Sequence, residues 1–194
     1  MPRRTGLERL EARKARLERH SAETDPAIVL NAAARFLELR SRSVHEIRRH
    51  LMDARFPERL VEGAIARLLE LGMLDDRAFA RAWVESRDRA RPRGEVALRR
   101  ELALKGIDRE TVDAVLAERS QAATAEAAGS GGAAADELAG EQLLKRNRTT
   151  LQRLADPRVR RRRAYALLAR NGFDPEVCRS VSARFVGTQD ALDD

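Results

Sequence analysis

Cysteine is almost absent. Cys178 stands alone, so no intrachain disulfide can form and nothing in the chain calls for an oxidising compartment. Aromatic residues supply only 4% of the chain, one tryptophan and one tyrosine among them, which excludes a large aromatic core. No apolar run approaches the length of a membrane-spanning helix. Residues 1–20 alternate in charge and lack the apolar centre of a signal peptide. The expectation is a cytoplasmic protein without membrane contact.

The groups that carry chemistry are equally scarce. There are three histidines, His20, His45 and His50. His45 and His50 lie five apart, so they do not share a helix face as zinc ligands four apart do. All three read as solvated or lightly packed. Cys178 falls at an apolar repeat position and reads as a core residue. The run Gly129-Ser130-Gly131-Gly132 lacks the lysine and the strand context of a phosphate loop. Asp75-Asp76 could suggest a metal or a nuclease, but its place at a helix start makes capping the more economical role. No enzyme, cofactor or metal is expected.

Strand signals are missing too: nothing alternates with period two, and no hairpin turn is encoded. Helical periodicity is what remains. Asp25-Pro26 looks like an N-cap followed by proline at the first helical position. The first helix then carries Ile28, Ala32, Phe36 and Leu39. Ser43 and Glu46 form a capping box for a second helix lined by Val44, Ile47 and Leu51. A third starts near Pro57, pairs Leu60-Val61, Ala64-Ile65 and Leu68-Leu69, and ends at Gly72.

This unit returns. Arg48-Arg49-His50-Leu51 matches Arg99-Arg100-Glu101-Leu102, while Ile47, Phe56, Val61 and Ile65 match Leu98, Ile107, Val112 and Leu116. Phe36 and Arg40 match Trp83 and Arg87. A third copy places Leu168, Phe173, Cys178 and Val181 against Leu102, Ile107, Val112 and Val115. The expected fold is all-α, an elongated tandem array of three three-helix repeats. Residues 1–24 form a charged arm or helix, 25–72 and 73–120 the first two repeats, and 136–187 the third. Residues 121–135 read as a flexible Ala/Gly/Ser linker that leaves the third repeat free to move, and 188–194 as an acidic tail.

Charge is plentiful, with 38 lysines and arginines against 31 acids, a net charge of +7 and a sequence pI near 10.7. Acids are interleaved with the arginines, which suits helices laced with ion pairs and a residual positive field. The informative cations sit in the loops and second helices of the repeats. They are Arg40, Arg42, Arg48 and Arg49; then Arg87, Arg89, Arg91, Arg93, Arg99, Arg100 and Lys105. Last come Arg158, Arg160, Arg161, Arg162 and Arg163, the densest cluster, whose nearest acid in sequence is Asp156. Aligned across repeats they would form a basic stripe fitted to a polyanion. A solvated helix face is the competing reading for any one of them.

Gly72-Met73-Leu74-Asp75-Asp76 followed by Phe79-Ala80 resembles the signature that joins the first two repeats of RecX proteins. Arg93-Gly94, Arg99, Glu101-Leu102 and Lys105-Gly106-Ile107 resemble that family's second-repeat motif, and Arg40-Ser41-Arg42-Ser43, Glu46 and Leu51 its first. The match covers residues 27–119 and extends more weakly to Gly172-Phe173-Asp174. Within the signature, Gly72, Leu74, Asp75, Asp76, Phe79, Gly106 and Ile107 are expected to be structural. The resemblance implies a monomeric, non-enzymatic regulator that binds the RecA recombinase filament and restrains recombination and co-protease activity, meeting single-stranded DNA weakly or through RecA. Two other functions compete: a basic DNA-binding module independent of RecA, and an α-helical scaffold for protein partners.

Overall fold

The computed structural model describes residues 6–127 and 135–190. The described residues are helical, without strands. The helices are α1 (Gly6–Ser21), α2 (Pro26–Glu38), α3 (Val44–Asp53), α4 (Glu58–Glu70), α5 (Asp76–Ala90), α6 (Glu95–Leu104) and α7 (Arg109–Ala127), followed by α8 (Ala135–Arg146), α9 (Arg148–Gln152), α10 (Pro157–Arg170) and α11 (Pro175–Asp190). Packing divides the chain between Phe79 and Ala80 into two compact units.

In the first unit, α2 begins where Asp25 accepts a hydrogen bond from the Ala27 N–H at 2.8 Å, with Pro26 in the first turn. Ser43 caps α3 by accepting from the Glu46 N–H at 3.2 Å. Helices α2, α3 and α4 close over Val29, Ala33, Ile47, Leu51, Phe56, Leu60, Val61, Ile65 and Leu68. Each fully buried leucine or valine contributes about 1.5–3 kcal/mol of transfer free energy. The face of α2 differs from the expected one. Val29 and Ala33 point inward, while Ile28 is 46% and Leu39 77% exposed. This helix is apolar on nearly every side of its first two turns, so spacing alone could not choose its inner face. No side chain of α1 is buried. Its end is tied down by His20, whose ring stacks on Phe56 at 4.1 Å and whose Nδ1 lies 2.9 Å from the Ala54 carbonyl.

The second unit holds α6 to α11 and most of α5. Buried positions recur along the chain. Leu51, Leu102 and Leu168 are wholly enclosed, and Phe56, Ile107 and Phe173 nearly so, as are Val61, Val112 and Cys178. Burial, then the charge of Asp174, pushes the Cys178 thiol above its ordinary pKa, which keeps it protonated and inert.

Two expectations about the connections are corrected. Residues 121–127 belong to α7, because alanine without glycine or proline continues a helix; the glycine-rich stretch within 128–134 lies outside the described residues. Helix α11 likewise runs to Asp190, into the expected tail, and 191–194 lie outside the described residues.

The turn after α10 touches the start of α6. The Gly94 N–H donates to the Asn171 carbonyl at 3.1 Å. A Cβ at Gly94 would fall 2.2 Å from the Gly172 carbonyl oxygen, so the backbones touch only because the residue is glycine. Gly172, at φ +78°, would place a Cβ 2.4 Å from that of Ala97.

Candidate nucleoprotein interface

The joining signature is a set of helix ends. Gly72 and Gly106 adopt φ of +67° and +76° after α4 and α6, where side chains are strained. Leu74, Phe79 and Ile107 are buried. Asp75 accepts from the Ala78 N–H at 2.9 Å and caps its own helix. Asp76 reaches back instead: it accepts from the Val44 N–H at 2.9 Å, at the start of α3. The second unit repeats this device with Asp136, which accepts from the Glu95 N–H at 2.9 Å at the start of α6. Each carboxylate thus fastens the first turn of a later helix, α5 or α8, to the start of the second helix of the preceding group.

Asp136 also receives Arg119. That guanidinium is 10% exposed and bonds both oxygens of Asp88 at 2.9 Å and Asp136 at 2.6 Å. Burial alone would lower its pKa, but the hydrogen bonds to Asp88 and Asp136 outweigh that and raise it. Arg119 is a structural cation that sequence reading did not single out.

The expected basic stripe separates into three groups. The first is neutralised within the protein. Arg40 bonds both oxygens of Glu46 at 3.0 and 3.2 Å, and Arg48 grips Glu62 at 2.7 and 2.8 Å. In the second unit Arg99 pairs with Glu95 and Asp113, at positions matching Arg48 and Glu62. Hydrogen bonds to these acids raise the pKa of Arg48 and Arg99, and the bond from Arg48 lowers that of Glu62. Arg87 bonds Glu101 at 2.6 Å, Arg93 lies 3.5 Å from the same carboxylate, and Arg89 makes a long contact of 4.0 Å with Glu85.

The second group covers aromatic rings. The guanidinium of Arg42 lies 4.0 Å above Phe36, whose ring also stacks on His50 at 3.7 Å. Burial, then the neighbouring Arg40 charge, lowers the Arg42 pKa. Arg87 and Lys105 lie 4.4 and 4.8 Å from the centre of the Trp83 ring.

The third group faces solvent without an ion pair among the described residues: Arg49, Arg91, Arg100, Arg158, Arg161, Arg162 and Arg163. Arg49 and Arg100 hold equivalent turns of α3 and α6. Arg160 leaves the stripe altogether. It is 7% exposed, and its Nε and Nη2 donate to the Leu154 carbonyl at 3.1 and 3.0 Å. Five consecutive-looking cations cannot share one face at 100° per residue, and Arg160 falls on the inner one. On the outer face of α10, Arg158, Arg161 and Arg162 meet Arg179 and Ser182 of α11 around Tyr165, lining a groove of about 340 Å³. Arg163 lies off this groove. Arg179 and Tyr165 were not picked out from sequence, although alignment of the repeats sets them against Asp113 and Arg99, a readable change of charge.

Among the described residues no group of acids, histidines or cysteine could hold a metal ion, and no helix is long and apolar enough to cross a membrane.

Two family models match, the first three-helix domain of RecX over residues 30–68 and the second over residues 75–116. The regulatory protein RecX of Chlorobium phaeobacteroides is 32% identical over 160 residues, spanning 82% of this chain and 95% of that protein. The Mycolicibacterium vanbaalenii regulatory protein RecX is 32% identical across 72% of each chain. A crystal structure of RecX from Lactobacillus salivarius superposes with a TM-score of 0.66 at 18% identity, over 82% of this chain and 95% of that one.

Proposed function

The chain belongs to the RecX family of regulatory proteins, and from that premise we propose that it is a cytoplasmic, monomeric regulator without catalysis of its own. It binds RecA and the RecA–single-stranded DNA filament and restrains strand exchange and co-protease activity. Binding follows the surface made by the unneutralised arginines. One observation carries this reading: Arg49 and Arg100 hold equivalent turns of α3 and α6, and Arg158, Arg161 and Arg162 gather on the outer face of α10, each without a carboxylate partner among the described residues. Exposed cations on each unit suit an anionic nucleoprotein lattice, where several weak contacts act together.

The test is RecA ATPase and strand exchange on single-stranded DNA with substoichiometric purified protein. Both activities should fall, and the protein should co-sediment with assembled filaments. Unchanged rates together with no filament binding would rule the reading out.

A further inference from the structure

The groove on α10 and α11 departs from the rest of the molecule in three ways, all with the same consequence. The first is charge. Where the earlier groups set Arg48 against Glu62 and Arg99 against Asp113, the matching positions here hold Tyr165 and Arg179. The carboxylate is replaced by a cation. Arg158, Arg161, Arg162 and Arg179 therefore converge with no acid among the lining residues. The second is volume. Ser182, 1% exposed, stands where Ile65 and Leu116 fill the earlier cores, and Ala164 stands where Ile47 and Leu98 do. Of these two smaller residues, Ser182 lines the groove itself. The third is the ring itself. Phe36 is covered by His50 and Arg42, Phe56 by His20, and Trp83 by Arg87 and Lys105. Tyr165 has no stacking or cation partner among the described residues, though it is only partly buried.

A partly exposed aromatic ring among guanidinium groups that lack ion pairs is the chemistry that holds a flexible polyanion with unstacked rings. We infer that this groove is a binding site for single-stranded nucleic acid, with a base stacked on Tyr165 and the adjoining phosphodiesters held by Arg158, Arg161, Arg162 and Arg179. Duplex DNA offers phosphates but no free base face, and an acidic peptide offers carboxylates without a planar ring. The groove therefore engages DNA directly, whereas the filament reading above requires only RecA-borne contact; the inference goes beyond that reading and does not depend on its outcome.

The experiment uses the full chain without recombinase and a fluorescein-labelled oligothymidylate followed by anisotropy at low salt. An abasic oligonucleotide of equal length and charge is the comparison. The wild type should prefer the base-bearing strand. Tyr165→Ala should weaken it at least about fivefold and erase that preference, while Tyr165→Phe keeps both. Arg179→Gln should reduce the slope of log affinity against log salt by about 0.7, the loss of one phosphate contact. Helicity by circular dichroism checks each fold, and ultraviolet cross-linking of the wild type to the strand should map to Tyr165 whether or not the alanine variant folds. Equal affinity for abasic and base-bearing strands overturns the inference, as does cross-linking confined to other residues. Displacement of the strand by polyglutamate at matched charge, with no effect of Tyr165→Ala, assigns the groove to an acidic protein surface instead. Because RecA is absent, none of these failures touches the filament reading; loss of ATPase inhibition with intact oligonucleotide binding would sink that reading alone.

Discussion

His50 shows how a residue without a chemical task still sets a pH response. Its ring is stacked on Phe36, and burial, followed by the Arg42 charge, lowers its pKa below the ordinary 6.5, against a weaker opposing pull from Asp53. The folded chain thus holds that proton less readily than the unfolded one. Its contribution to stability is fully present above pH 6.5 and is lost as pH falls through the lower folded value. The denaturation midpoint of the wild type should therefore drop between about pH 8 and about pH 5.5 by more than that of His50→Gln, the acid groups being common to both. Equal drops would remove His50 from the response. The neighbouring ion pairs need no such weight. Arg48–Glu62 has both partners more than 40% exposed, and pairs of that kind contribute about 0.2–1 kcal/mol.

Between elements, the joints carry more free energy than the surfaces. Asp76 and Asp136 each cap a helix that belongs to the preceding group, so the start of one group of helices depends on the next. Arg119 strengthens the second joint by binding Asp88 on α5 and Asp136 on α8 from its place on α7. Removing one partner of a buried cluster leaves the others uncompensated. Arg119→Ala should cost about 3–5 kcal/mol, read as a lower midpoint in chemical denaturation, because two carboxylates lose their shared cation. A cost below about 1 kcal/mol would mean that water reaches the cluster and that the joint rests on packing and the Gly94–Gly172 contact alone.

For the whole molecule, a net charge of +7 does not predict how binding depends on salt, because many of its arginines already hold a carboxylate. Only the unpaired ones can release counterions from a bound strand. Four groove guanidinium groups at about 0.7 each give a log–log slope near −3, so single-strand affinity should fall roughly 50-fold between about 50 and about 200 mM salt. Arg48→Gln changes the net charge as much as Arg162→Gln does. The former should leave the slope unchanged and the latter should flatten it, in the same anisotropy titration. A slope tracking net charge regardless of position would show that binding is diffuse.

Much of this was legible in the linear chain. Helical period, the capping residues Asp25 and Ser43, and the glycines after α4, α6 and α10 are local signals, decided by backbone sterics within a few residues. The recurrence of Leu51, Leu102 and Leu168 needed no coordinates either, since each must be enclosed for its group of helices to close. The inner face of α2, the partners of each arginine and the burial of Arg160 were settled only by packing. Charge and periodicity say that a cation lies on a helix, whereas which carboxylate comes within 3 Å depends on how a second helix crosses it. Tyr165 is the sharpest case: the sequence supplies the ring, and only the crossing of α10 by α11 leaves it partly exposed among arginines without ion pairs.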